Sequence, residues 1–272
     1  MNKRRFLITI CRQLATIALL FITTSCNQID EETKKEIKKE AKKAGKEIMG
    51  ALNNAAAKEY IIFYTVNSKN EEIRLFWKDS KDSIIGSLGY LKNVCMQQKQ
   101  KLLFACNGGM YMEDQSPLGW FIHKGKTITS LNTRDGKGNF YLQPNGVFII
   151  TKNKKCMITS TANAMQFAHE AFYATQSGPL LIHEGKINSL FNKESNNLNI
   201  RNGVGIDSNG NVLFAMSAQP INFYQFAKFY QNHGCKEALY LDGFVSRFYA
   251  PAQNFIQTDG EFGVMIGVIG ND

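Results

Sequence analysis

From residue 59 onward, short apolar runs alternate with Gly-rich and polar turns, a spacing that predicts strands more often than helices. The runs are EYIIFYTV (59–66), EIRLFW (72–77), KLLFACNGG (101–109), LGWFIH (118–123), GVFII (146–150), GPLLIH (178–183), GVGID (203–207), NVLFAM (211–216), EALYL (237–241) and FGVMIGVIG (262–270). Turns at Lys124-Gly125-Lys126, Glu184-Gly185-Lys186 and Asn209-Gly210 predict antiparallel hairpins. The segments IHKGKTI and IHEGKI match each other, too briefly to establish a duplication.

Two stretches carry helical periodicity instead. One is SLGYLKNVCMQQ (87–98); the other is PINFYQFAKFYQNHG (220–234), with Phe223, Phe226, Ala227 and Tyr230 on one face and Gly234 as a stop. A strand, a helix of about four turns and a further strand suggest a crossover. The expected class is therefore α+β: a mixed, largely antiparallel sheet domain with flanking helices over 59–272.

The N-terminal part differs. In residues 1–26, Lys3, Arg4 and Arg5 precede an apolar core at Leu14–Ile22 and the small residues Thr23-Thr24-Ser25 before Cys26. This is similar to a bacterial lipoprotein signal, which implies cleavage before Cys26, lipid on its sulfur, and an exported, membrane-anchored protein in the periplasm or on the cell surface of a Gram-negative bacterium. Arg12-Gln13 interrupts the apolar run and leaves it short of the ~20 residues of a spanning helix. Residues 27–58 form a linker in which Ile37, Ala41, Ala44, Ile48, Leu52 and Ala55 recur at helical spacing among Glu and Lys. So thin an apolar stripe suits a charged helical stalk better than a coiled coil.

Composition narrows the function. The 272 residues are 44% hydrophobic, enough for a sizeable core, and carry a net charge of +9 that falls to +5 without the four basic residues of the signal segment. The remaining Lys residues are scattered and lack interleaved aromatics, which argues against nucleic acid. Cys95, Cys106, Cys156 and Cys235 show no CxxC pairing, so no metal site or redox motif is indicated, and the residues name no cofactor.

Four clusters place Gly and polar groups beside apolar strands: Asn107-Gly108-Gly109-Met110-Tyr111, Gln176-Ser177-Gly178-Pro179, Arg201-Asn202-Gly203-Val204-Gly205 and Asp242-Gly243-Phe244-Val245-Ser246. Each alone is as compatible with a turn or bulge as with a binding site. Asp207 sits before a hairpin turn and reads as a turn carboxylate; Asn132, Arg134 and Asp135 occupy a polar loop that either lines a pocket or makes ordinary turns. His169 stands alone in a predicted helix, and a Cys106–His169 thiol dyad lacks a third orienting group.

In order, and with NTRDGKGNFYLQPNGVF (132–148) between them, these clusters resemble the phosphodiester glycosidase family over residues 60–270, and within it an uncharacterised bacterial branch. That family includes the lysosomal uncovering enzyme, which removes N-acetylglucosamine from mannose phosphate diesters. The resemblance implies a hydrolase on a carbohydrate or sugar-phosphate substrate, tethered to a membrane through its lipid. It carries catalytic roles onto Asp242 and Arg201, and substrate contacts onto Asn107, Gly108, Gly109, Ser177, Gly178, Gly243 and Ser246. The uncovering enzyme has glycines where this chain has Phe244-Val245, so sugar specificity does not carry over.

The chemistry is consistent. Cleavage at the anomeric carbon expels a phosphate monoester of pKa about 6, already a fair leaving group, so holding the phosphate and stabilising an oxocarbenium-like transition state matter more than a strong acid. The fork of Arg201 suits a phosphate, unless it serves a structural ion pair; Asp242 suits the developing cation, unless it caps a turn. A non-catalytic glycan-binding envelope lipoprotein is the alternative, with Trp120 or Tyr141 as an aromatic platform.

Overall fold

The computed structural model describes residues 35–36, 38–45, 61–67, 70–243 and 245–270. The chain divides into residues 1–56 and 57–272. In the first, residues 35–36 and 38–45 are helical and exposed; the signal segment, Cys26 and the rest of the linker lie outside the described residues. No described helix is long and apolar enough to cross a membrane.

In the second unit the strands are β1 (Ile61–Thr65), β2 (Glu71–Phe76), β3 (Lys101–Asn107), β4 (Phe121–His123), β5 (Lys126–Thr129), β6 (Gly146–Thr151), β7 (Cys156–Ser160), β8 (Ala171–Ser177), β9 (Leu180–His183), β10 (Lys186–Ile187), β11 (Asn202–Asp207), β12 (Val212–Ser217), β13 (Cys235–Tyr240), β14 (Phe248–Ala250), β15 (Phe255–Ile256) and β16 (Met265–Gly270). The helices are α1 (Leu88–Gln97), α2 (Thr161–Ala164) and α3 (Phe223–Asn232).

Three sheets result, in the orders β15-β14-β3-β16-β2, β5-β4-β8-β6-β7 and β10-β9-β13-β11-β12-β1. They are three copies of one arrangement. Each has an edge hairpin (β14–β15, β4–β5, β9–β10), a central strand (β3, β8, β13), and then an antiparallel pair (β16–β2, β6–β7, β11–β12). In each copy a helix leads into the central strand: α1 into β3, α2 into β8, α3 into β13. The matched hairpin segments are thus part of a longer repeat. Their turns even share a conformation, with positive φ at Lys124-Gly125 and at Glu184-Gly185, as a two-residue turn with strand-like twist demands.

The parallel pairing expected from the crossover does not occur. β12 and β13 run the same way, but β11 lies between them and pairs antiparallel with both, and every pairing among these strands is antiparallel. Helix α3 is also shorter than expected, at 10 residues. Asn222 caps it by accepting from Gln225 N while the Gln225 side chain answers to Asn222 N, and Gly234 leaves it at φ +77°.

Inner faces of all three sheets share one core. Phe104 on β3, Phe148 on β6 and Phe214 on β12 are wholly buried in it, with ring centroids 5.1 Å apart for Phe104–Phe214 and 6.1 Å for Phe148–Phe214. Each outer face is covered by its own helix: Leu88, Leu91 and Cys95 of α1 with Ala105 and Met265, Ala164 of α2 with Val147 and Ala174, and Phe226, Ala227 and Tyr230 of α3 with Ala215 and Ala238. Gly205 permits the last contact, because a Cβ there would overlap the Tyr230 ring.

Candidate active site

The repeat explains why the sequence clusters meet. The three central strands lead into Asn107-Gly108, Ser177-Gly178 and Asp242-Gly243, and the third pair begins at Arg201-Asn202. Asn107, 1% exposed, ties these parts together. Its Nδ2 donates to Asp242 O at 2.5 Å, and its Oδ1 accepts from Asn202 Nδ2 at 3.0 Å and Arg247 N at 3.1 Å. Asp242 N in turn donates to Gly108 O. The glycines serve close approach: a Cβ on Gly109 would overlap Thr175 Oγ1, and one on Gly178 would lie 2.6 Å from Phe140 O.

Asp242 is partly exposed, and its charge acts on two phenols. Burial, with a contribution from Asp242, pushes the Tyr111 hydroxyl up to about 12, and that hydroxyl donates to Glu261 O at 2.8 Å. Burial also pushes Tyr240 up to about 12; the Arg201 charge opposes the shift and Asp242 adds to it. Both therefore stay neutral beside the carboxylate. The Tyr240 hydroxyl packs where a side chain on Gly243 would stand, so this position needs glycine for room. Ser246 closes the turn, its Oγ donating to Gly243 O at 2.8 Å.

Arg201 is 0% exposed. Its guanidinium lies 3.6 Å above the Phe223 ring, its Nε donates to Ile221 O and its Nη2 to Asn197 O, both at 2.8 Å. Burial pulls it below its ordinary pKa, and the neighbouring Tyr240 partly offsets this. It makes no ion pair among the described residues. Its Nη1, together with Ser177 Oγ and Asn202 Oδ1, is buried without a hydrogen-bond partner there.

The remaining candidates resolve differently. Asp207 accepts from Asn209 N, Asn211 N and Asn211 Nδ2, the work of a turn carboxylate. Asn132 caps its own loop, its Oδ1 accepting from Arg134 N, and Arg134 and Asp135 are exposed. Cys106 is wholly buried, which holds its thiol protonated, whereas His169 is exposed in the turn before β8, so they form no dyad. Trp120 is 2% exposed and offers no platform, and Tyr141 packs over Gly136. Among the described residues all four cysteines are free.

Gln176 proves structural. Its Oε1 accepts from Trp120 N and Asn132 N, while its Nε2 donates to Asn132 O and Thr161 Oγ1. Gln176→Ala would strand these buried groups and is expected to cost about 3–5 kcal/mol, read from the urea midpoint; a loss under ~1 kcal/mol would contradict this account.

Tyr111 and Asn202 stood in the sequence clusters without a role of their own, and Tyr240 and Arg247 were not among the sequence candidates. Tyr240 had a signal: it stands two residues before Asp242, so in a strand both face the same way. The others are assembled only by long-range contact.

Comparison with known proteins bears on the family. The model of the phosphodiester glycosidase family matches residues 100–266. An Escherichia coli chain called uncharacterized protein YigE is 36% identical over 187 residues, spanning 68% of this chain and 72% of that one. Among solved structures, a putative exported protein of Burkholderia pseudomallei superposes with a TM-score of 0.50 at 8% identity, covering 76% of this chain and 73% of that chain, a likeness of fold alone. The catalytic domain of zebrafish N-acetylglucosamine-1-phosphodiester alpha-N-acetylglucosaminidase, auto-inhibited by its pro-peptide, gives 0.47 at 15% identity, covering 78% of this chain and 88% of that chain. With its matched region spanning the central strands and the turns that meet at Asp242, the chain belongs to the phosphodiester glycosidase family.

Proposed function

We propose that this chain is a hydrolase that cleaves a glycosyl phosphodiester, or a related linkage of a cell-envelope glycan, and that it is exported and held at a membrane by lipid on Cys26. One observation supports the substrate class above the others: Arg201 is a fully buried cation that has, among the described residues, no carboxylate partner and one nitrogen without a hydrogen bond. Burying an unpaired charge costs several kcal/mol, and an anion that reaches Nη1 recovers much of it. The phosphate of a diester is such an anion, and Ser177 Oγ is a second unused donor among the clustered residues. Access requires the largely exposed segment 188–199 to give way, since its Asn197 carbonyl holds Nη2.

In this reading Asp242 faces the anomeric carbon, as nucleophile or as the charge that stabilises an oxocarbenium-like transition state. The C1–O bond breaks toward phosphate, water supplies the new C1–O bond, and the products are the free sugar and a phosphate monoester. Tyr240, neutral between Arg201 and Asp242, keeps the carboxylate and the guanidinium from neutralising each other directly.

The test is release of phosphate monoester from a panel of sugar-phosphate diesters by the purified protein, with mass spectrometry of its N-terminal peptide reporting lipid on Cys26. Monoester release is the expected result. Absence of product on every diester, with glycan binding retained, would instead favour a non-catalytic glycan-binding lipoprotein.

A further inference from the structure

Residues 188–199 join β10 to β11, and most of them are exposed; Asn188, Phe191 and Ser195 are the partly buried ones. Both ends of the segment are fixed. Asn188 N donates to Leu181 O and its Nδ2 to Leu180 O, each at 3.1 Å, while Asn199 and Ile221 exchange two backbone hydrogen bonds at 3.1 and 2.9 Å. Between the ends, Asn222, Arg201 and Phe223 hold it. Asn222 Nδ2 donates to Lys193 O at 3.0 Å and Ser195 O at 3.2 Å, and Arg201 Nη2 donates to Asn197 O at 2.8 Å. The Phe191 ring stacks on Phe223 with centroids 5.0 Å apart, and Phe223 is the ring on which the guanidinium lies.

The repeat shows what a locked connection looks like. In the second sheet the same step, from the edge hairpin β4–β5 to β6, is made by residues 130–145, which bury Phe140 to 2% exposure and tie Asn132 N and Asn132 O to the side chain of Gln176. Asn145 Nδ2 adds a bond to Phe140 O at 2.9 Å. In 188–199 the aromatic ring is only partly buried, and the hold on Arg201 is a main-chain carbonyl, an acceptor that a phosphate oxygen replaces with a charged one. A segment with so little buried apolar surface opens locally at low cost.

We infer that residues 188–199 are an autoinhibitory strap. Closed, the strap spends Arg201 on Asn197 O; open, it yields the guanidinium to an anion, so strap closure and phosphate binding exclude one another. The inference rests on the reading of Arg201 as the phosphate site and adds its regulation. Because the anion binds the open form alone, phosphate raises the open fraction, and a change that weakens closure tightens the apparent affinity by the same factor.

Lys193 reports the state of the strap, since its side chain is exposed and its carbonyl is held by Asn222 in the closed form. The experiment follows cleavage of the purified full chain after Lys193 by a lysine-specific endoproteinase, in inorganic phosphate and in chloride of equal ionic strength, with phosphate affinity measured by calorimetry. Phosphate is expected to speed this cut by about fivefold or more and to leave cuts elsewhere in residues 57–272 unchanged. Phe191→Ala is expected to speed the cut without phosphate and to tighten phosphate binding by about fivefold. Cleavage at Lys193 that ignores phosphate would overturn the strap without recourse to the variant, and so would an unchanged affinity in a folded Phe191→Ala chain. Opening by phosphate without turnover of any diester would sink the hydrolase reading and leave the strap standing; turnover with a Lys193 cut indifferent to phosphate would do the reverse.

Discussion

Asp242→Asn is expected to lower diester turnover by about a thousandfold or more and to leave the fold in place. The substitution keeps the shape of the side chain and removes its charge. Two contacts that position the turn, Asp242 N to Gly108 O and Asn107 Nδ2 to Asp242 O, engage Asp242 through its backbone atoms and survive. Because the side chain is partly exposed, the thermal midpoint should move by no more than a few degrees. Circular dichroism and monoester release on one preparation check both halves. A fully active variant would remove Asp242 from the chemistry, and an unfolded one would show that the carboxylate is structural.

The second large effect is at Arg201, where activity and stability should separate. Arg201→Ala would open a cavity under Phe223 and strand Ile221 O and Asn197 O, for a loss of about 3–5 kcal/mol. Arg201→Met fills most of that volume and also removes a buried cation that has no ion pair among the described residues, so it should fold at a smaller cost. If the guanidinium receives phosphate, the Met variant should lose turnover by about a hundredfold or more despite its stability. A stable Met variant with full activity would reduce Arg201 to a structural role.

Much of the fold was legible because short continuous apolar runs such as KLLFACN and NVLFAM announce strands buried on both faces, and because Gly-containing turns mark hairpins. Helix α3 was readable from its aromatic face. The segment FYATQS was less so: its Ala, Thr and Gln follow the helical TANAMQF, yet β8 is a central strand buried on both sides. Short strands such as β14 and β15 exist only by pairing with neighbours. Sheet order is set by long-range pairing, which is why a crossover suggested a parallel pair that an intervening β11 prevents.

The site was legible to a similar depth. Asn107, Ser177, Arg201 and Asp242 stood out as polar groups beside strands, and the repeat places them at related turns. The burial of Arg201 was not readable, since it depends on Phe223 and on Asn197 of a separate loop. Nor was the spending of the Asn107 and Ser246 side chains on backbone and turn contacts.

The first sheet carries one more consequence. Its strand β16 ends at residue 270, yet it lies between β2 and β3 and pairs with both. A chain leaving the ribosome or a translocation channel N-terminus first can complete the second and third sheets early, but β2 and β3 must wait for the last strand before their edges are satisfied. Until then the shared aromatic core has one open side. Deleting Met265–Gly270 would therefore act on the middle of a sheet and not on one of its edges.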